Sequence, residues 1–141
     1  MATFNKINAF VENLAEGVHN LGADSLKVML TNTAPIASNS LLSDLVEIAA
    51  GNGYTAGGTA PAISSSAQTS GTYKLVLADV VFTASGGTIG PFRYAVLYND
   101  TPASPLNPLI GWYDYGSSIT LADTETFTVD FDPSSGALVL A

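Results

Sequence analysis

Residues 125–132 read ETFTVDFD, and from Thr126 onward polar and apolar side chains alternate. Phe127, Val129 and Phe131 share one face of an extended chain, whereas the threonines and aspartates share the other. This period of two predicts a strand with one buried face. The stretch Leu26–Thr31 also has a period of two and β-compatible residues, so it predicts a second strand.

Further strand-like segments occur between turn signals spaced roughly 8–12 residues apart, as in sandwiches and barrels. The turns are marked by ASGG at 84–87, NDTP at 99–102 and DPSSG at 132–136. The segments are Tyr73–Thr83, Phe92–Tyr98, Leu109–Tyr115, Ser118–Ala122 and Ala137–Leu140. About seven or eight strands in all predict an all-β fold, a single-domain β-sandwich of jelly-roll type over residues 1–141.

The first fifty residues predict one or two short helices. Apolar residues between Phe4 and Leu21 recur at spacings of three and four, which favours a helix over the first dozen residues. A bent strand entering at Gly17 is the alternative. Leu41–Ala50 predicts a second short helix, capped by Ser40 or Ser43 and ended by Gly51.

Residues 51–72 are dominated by Gly, Ser, Thr and Ala. Such a composition predicts a long ordered loop, with room for a short strand near Ala60–Ser64. No long hairpin is evident from the sequence.

The chain has few charges for its size. Lys and Arg number 4 and Asp and Glu 12 among 141 residues, yet 47% of residues are hydrophobic and the mean hydropathy is +0.30. Ordinary domains are about 25% charged. No apolar run reaches about 18 residues, the length of a membrane-spanning helix, so no membrane role is expected. The composition instead predicts that much of the surface is covered by other protein.

The charges also limit the kinds of partner. Lys6, Lys27, Lys74 and Arg93 are scattered, whereas phosphate binding needs clustered bases, so no nucleic-acid partner is expected. Residues 99–141 contain six acids and no base. These acids either keep an apolar protein soluble or face a basic patch on a partner.

The sequence offers little support for a catalytic or a metal-binding site. His19 is the single histidine, and no GxSxG nucleophile motif accompanies it. Asp130 and Asp132, on one face of the predicted strand, leave open paired-carboxylate hydrolysis or a structural calcium ion. We expect neither enzymatic activity nor a cofactor, and no metal ligands are assigned.

Aromatic residues are the main candidates for an interaction site. The candidates are Tyr94, Tyr98, Trp112, Tyr113 and Tyr115. Tyrosine and tryptophan are favoured in protein interfaces because each combines a flat apolar body with a polar tip. The alternatives are an ordinary place in the core or a platform for carbohydrate.

Four longer segments carry a resemblance to known proteins. They are LKVMLTNTAP at 26–35, GNGYTAGG at 51–58, ASGGTIGPFRYAVLYNDT at 84–101 and LIGWYDYGSSIT at 109–120. With residues 125–131, these segments resemble a family of small structural proteins of tailed bacteriophage virions. The resemblance implies a component of the phage particle and supplies no catalytic residues.

The resemblance leaves head or tail open. Scarce charge, the aromatic strand pair and the acidic residues 99–141 favour a capsid decoration (cement) protein, which stabilises the head from outside. Its partners would be the major capsid protein and further copies of itself, with a trimer favoured. The alternative is a tail component, either a tail-tube protein or a tip or fibre module that binds host carbohydrate. Tail-tube proteins usually build rings with a long hairpin arm. Because no such hairpin is evident in this sequence, the tail role ranks second.

Overall fold

The computed structural model describes residues 2–141, and most of its regular structure is antiparallel β. The single α-helix, α1, covers Asn8–Ala15, and Leu42–Asp44 forms one 3-10 turn. The strands are β1 Thr3–Lys6, β2 Leu26–Thr31, β3 Ile63–Thr69, β4 Thr72–Leu77, β5 Val80–Thr83, β6 Ile89–Asn99, β7 Leu109–Leu121, β8 Thr126–Val129 and β9 Leu138–Leu140. The all-β prediction is therefore confirmed.

The strands form three sheets. The largest has the order β1-β7-β6-β2, the second β3-β4-β9, and the third contains β5 and β8. All pairs are antiparallel. One hydrophobic core receives residues from α1 and from every sheet; among its members are Phe10, Leu30, Leu75, Phe82, Phe92 and Val129. In the largest sheet, β6 and β7 are the long central strands, and β2 and β1 are the edge strands beside them.

The two best-patterned strands form as predicted. β8 buries Val129 and exposes Thr126 and Thr128, as its alternation requires. β2 also forms over Leu26–Thr31, but every residue except Lys27 is buried. Both faces of β2 are therefore covered, which agrees with the apolar residues that this strand carries on both faces.

Two strand boundaries differ from the prediction. Gly116 does not separate two strands, because β7 continues through it with a φ of +86° and a bulge in its register against β6. Conversely, Tyr73–Thr83 is divided into β4 and β5, which belong to different sheets. The break lies at Asp79, whose carboxylate accepts a hydrogen bond of 2.9 Å from the Phe131 N–H.

The N-terminal helix begins later than predicted. Residues 3–6 are extended because they pair with β7, with Thr3 opposite Asp114, and the helix follows from Asn8. Gly17, with a φ of +79°, comes shortly after its end, and no strand enters there.

The prediction of a second helix over Leu41–Ala50 is wrong, because only one 3-10 turn forms there. The Asp44 carboxylate accepts hydrogen bonds of 2.8 Å from the Ser40 N–H and 3.0 Å from the Leu41 N–H. These bonds close a single 3-10 turn, after which Leu45 is extended. The capping side chain is thus Asp44 rather than Ser40 or Ser43.

The largest difference lies in residues 51–72. The strand expected near Ala60–Ser64 is the seven-residue β3, and it forms a hairpin with β4. Ser70 and Gly71 connect the strands with φ values of +51° and +84°, the positive angles that a type I′ turn needs. The expectation that the chain lacks a long hairpin is therefore wrong.

Within residues 2–141, no helix combines the length and the apolar character needed to cross a bilayer.

Candidate interaction surface

The predicted aromatic residues divide into two groups. Tyr94 and Tyr98 lie on β6 and are only 8% and 1% exposed. The Tyr98 hydroxyl donates a hydrogen bond to the Gly57 carbonyl, and burial raises the pKa of Tyr98 to about 12. The expectation that these two tyrosines are available to a partner is corrected, because β6 is covered on both sides.

Trp112, Tyr113 and Tyr115 lie on β7 and are half-buried. Tyr113 and Tyr115 line the same groove, together with Phe4 of β1 and Phe131 after β8. This aromatic groove has a volume of about 360 Å³. Trp112 is not among its lining residues. The structure thus brings two of the predicted aromatic residues together and separates the third from them.

The rings of the aromatic groove are held by one another. The ring centres of Phe4 and Tyr113 are 5.2 Å apart, and those of Tyr113 and Phe131 are 5.9 Å apart in an edge-to-face arrangement. Tyr115 makes a further edge-to-face contact of 4.8 Å with Phe127. Such contacts are favourable and fix ring orientation. The groove is therefore a rigid surface whose side chains lose little freedom on binding.

The polar groups of the groove are phenols and carboxylates. Burial raises the pKa values of Tyr113 and Tyr115 to about 12, and the Asp130 carboxylate adds to the effect at Tyr115. A tyrosine is protonated at neutral pH in any case, and the raised pKa extends this to more alkaline pH, so both phenols can donate hydrogen bonds. The Asp132 carboxylate is occupied, since it accepts bonds from the Ser134 N–H and from the hydroxyls of Ser134 and Ser135.

A second groove adjoins the first and was not predicted from the sequence. It lies between α1, β1 and β9 and has a volume of about 380 Å³. Its lining is apolar except for Lys6, and Val11, Val139 and Leu140 are each more than two-fifths exposed. Both grooves include Phe4 and Ala137, so they form one surface, called here the β1–β9 surface.

Most of the acids hold the chain's own loops. Eight of the twelve accept a backbone N–H: Asp24, Asp44, Glu47, Asp79, Asp114, Asp123, Glu125 and Asp132. Asp100 forms an ion pair of 3.1 Å with Lys27. The acidity of residues 99–141 therefore has a structural explanation within the fold.

His19 lies in a buried polar cluster and lines neither groove. Its Nδ1 is 3.0 Å from Nδ2 of Asn99, which also donates to Asp24 at 2.7 Å. Because the amide donates, Nδ1 must accept, and the proton of the neutral ring is on Nε2. Burial lowers the pKa of His19, so the ring is neutral at physiological pH.

No nucleophilic side chain is hydrogen-bonded to His19 among the described residues. Nor does any group of three His, Cys, Asp or Glu residues within 2–141 have the placement of a metal site.

Comparisons with models of known protein families, with curated protein sequences and with solved structures each gave no match for this chain.

Proposed function

We propose that this protein is a structural component of a tailed-bacteriophage particle, a capsid decoration protein that bridges major capsid protein subunits on the outside of the head. The observation that carries the proposal is the β1–β9 surface. It is a pair of adjoining grooves with rigid aromatic and exposed apolar lining, on a chain in which only 11% of residues are charged.

The chemistry of this surface suits protein rather than nucleic acid. Aromatic residues in well-packed pockets dominate binding energy at protein interfaces. Three of the four bases, by contrast, are engaged within the chain, and Lys6 alone lines the apolar groove. Lys27 pairs with Asp100, and Arg93 pairs with Asp114 at 2.8 Å. Lys74 donates to the Ser134 carbonyl. These contacts support the proposal of a protein partner, without nucleic acid or membrane.

The proposed role is mechanical, without enzymatic activity or a cofactor. Each copy makes a modest contact, and the symmetry of the head multiplies that contact over many copies. Self-association as a trimer belongs to the same proposal. We also propose that the sheets pack as a β-sandwich of jelly-roll type, supported by the single core to which all three contribute.

A second candidate is a tail component, and specific features favour it. The β3–β4 hairpin has nine successive exposed residues, Ser64–Thr72, as an arm for ring building would. In addition, Tyr113, Tyr115 and Asp130 offer the aromatic faces and polar groups on which a sugar ring can bind, as a tip or fibre module would need.

Cryo-electron microscopy of the intact phage particle tests both candidates. The decoration role predicts density for this fold on the outer surface of the head, between major capsid subunits, with the β1–β9 surface at the contact. Density confined to the tail, with none on the head, would overturn the decoration role in favour of a tail component.

A further inference from the structure

The β3–β4 hairpin has an unusual surface. Every residue from Ser64 to Thr72 is exposed, and no residue between Glu47 and Lys74 carries a charge. The side chains of β3 are small or polar, reading ISSSAQT. This hairpin therefore forms an uncharged projection on a protein whose net charge is −8.

The outer edge of β3 is unpaired within the described chain. β3 stands at the end of its sheet, with β4 as its single neighbour. Edge strands are usually protected by charges, prolines or bulges because their free N–H and C=O groups recruit other strands. β3 has neither charge nor proline, and its one irregularity lies at its start, between Ile63 and Ser65.

The turn end of the hairpin gains little from the core. Ser66 and Tyr73 share a hydrogen bond of 2.8 Å near solvent, and full burial in β4 begins only at Leu75. Because β9 pairs only with Tyr73–Leu75, the sheet is two-stranded at its turn end, and a two-stranded ribbon is marginally stable by itself. Pairing of the open edge of β3 with another strand would stabilise this end of the hairpin.

We propose that the open edge of β3 pairs with β3 of a second copy of this chain, antiparallel across a two-fold axis. Two such copies would join their three-stranded sheets into one of six strands. The contact differs from the β1–β9 surface, so it does not depend on whether the protein belongs to the head or the tail.

Charge identifies a second copy as the occupant. Two copies with a net charge of −8 repel each other wherever their acids meet, and the span between Glu47 and Lys74 has none. A basic partner would instead be drawn to the acids elsewhere. Strand length points the same way, since β9 at the other edge has three residues against seven in β3. A self-complementary contact of this kind is the usual basis of two-fold dimers.

The test compares two double variants of the full-length chain. Ser65→Glu with Ala67→Glu places carboxylates on one face of β3, where the two-fold axis brings like charges together, while the partner of Ala67 within the hairpin is the cation Lys74. Ala34→Glu with Ser38→Glu is the matched control, with the same residue types at exposed loop positions and the same change in net charge. Sedimentation velocity over a concentration series measures association, and thermal melting verifies folding.

We expect the unaltered protein and the control to form the two-fold contact alike, whether from monomers or from the proposed trimers, and the β3 variant to need at least about tenfold higher concentration for it. Hydrogen exchange should slow on dimerisation at those amides of Ser65–Thr69 that point away from β4, about every second one. A monomer that exchanges these amides rapidly even at millimolar concentration would overturn the proposal. Association that both variants retain would overturn it as well, since another surface would then be responsible.

Discussion

Tyr54 is a single residue that ties three distant segments together. Its hydroxyl donates to Glu47 at 2.6 Å and accepts from the Leu30 N–H at 3.1 Å. Glu47 in turn accepts the Gly57 N–H at 2.6 Å. The ring lies in the core, and burial raises the pKa of Tyr54 far above its usual range. This network fixes the glycine-rich loop against β2.

We expect Tyr54→Phe to lower the free energy of unfolding by about 1–3 kcal/mol, because the buried Leu30 N–H and the Glu47 carboxylate each lose a partner. Urea denaturation measures the change. Tyr73→Phe is the matched control, since its hydroxyl bonds to Ser66 near solvent, and it should cost much less. Equal losses in the two variants would show that the buried network contributes nothing beyond an exposed bond.

The carboxyl group of Asp132 makes the stability of the fold depend on pH in the acid range. Hydrogen bonds from the side chain and backbone of Ser134 hold the pKa of Asp132 at about 2. A carboxyl group with a lowered folded-state pKa stabilises the fold above its unfolded pKa of about 3.9. That contribution is lost as the pH falls from about 4 towards 2. We therefore expect Asp132→Asn to flatten the fall in melting temperature over this range.

The control is Asp130→Asn, two residues away, because Asp130 accepts no hydrogen bond from residues 2–141. It should leave the acid-induced loss of stability as steep as in the unaltered protein. If Asp132→Asn leaves the same steepness, the turn at Asp132 is not a source of acid sensitivity.

Elements were predictable from the sequence where burial follows a local pattern. β8 was found because its apolar residues alternate, and β2 because its residues favour extended chain. β3 has no such alternation and owes its strand to pairing with β4 across Ser70 and Gly71. The break between β4 and β5 depends on a bond from Phe131 to Asp79, which no local window contains.

The candidate surface was predictable in part for a related reason. Tyr113 and Tyr115 were identified by residue type, and both line the aromatic groove. Tyr94 and Tyr98 have the same residue type but lie on β6, and the sequence does not reveal which strand is central. The apolar groove joins α1 near the start of the chain to β9 near its end, so only the folded chain brings Val11 and Val139 to one surface.

Gly58 attaches the glycine-rich loop to β2 by close backbone contact. It has a φ of +82°, and a Cβ added there would lie 1.8 Å from the Val28 carbonyl oxygen. Gly86 has nearly the same φ, +81°, with nothing within 4 Å of an added Cβ. Comparing alanine substitutions at Gly58 and Gly86 therefore separates the cost of backbone strain from the cost of steric overlap.

We expect Gly86→Ala to cost about 1–2 kcal/mol of unfolding free energy, the cost of the left-handed conformation. Gly58→Ala should cost about 3 kcal/mol or more, because the backbone must also move away from Val28. Chemical denaturation of both variants measures the difference. Similar costs would mean that the loop can shift from β2 without penalty.

For the whole molecule, scarce charge and exposed apolar residues belong together. The acids mainly fasten loops, which leaves Lys6 as the one charged residue that lines the apolar groove and no charge on β3. A soluble monomer would gain nothing from exposing Val139 and Leu140, whereas a component of an assembly buries them. β3 and β9 are the two edges of one three-stranded sheet, so one edge can meet a different protein while the other meets another copy.

The proposed decoration role predicts that attachment to the head is sensitive to charge on the β1–β9 surface. We expect Val11→Asp, at a residue of α1 that is 51% exposed in the apolar groove, to weaken co-sedimentation with heads stripped of this protein by at least about tenfold, while melting changes little. Val46→Asp is the control, since Val46 is 64% exposed and its carbonyl bonds to Thr31 of β2, at the opposite edge of the four-stranded sheet. Equal attachment by both variants would move the contact away from the apolar groove, because a carboxylate carried into an apolar contact costs affinity.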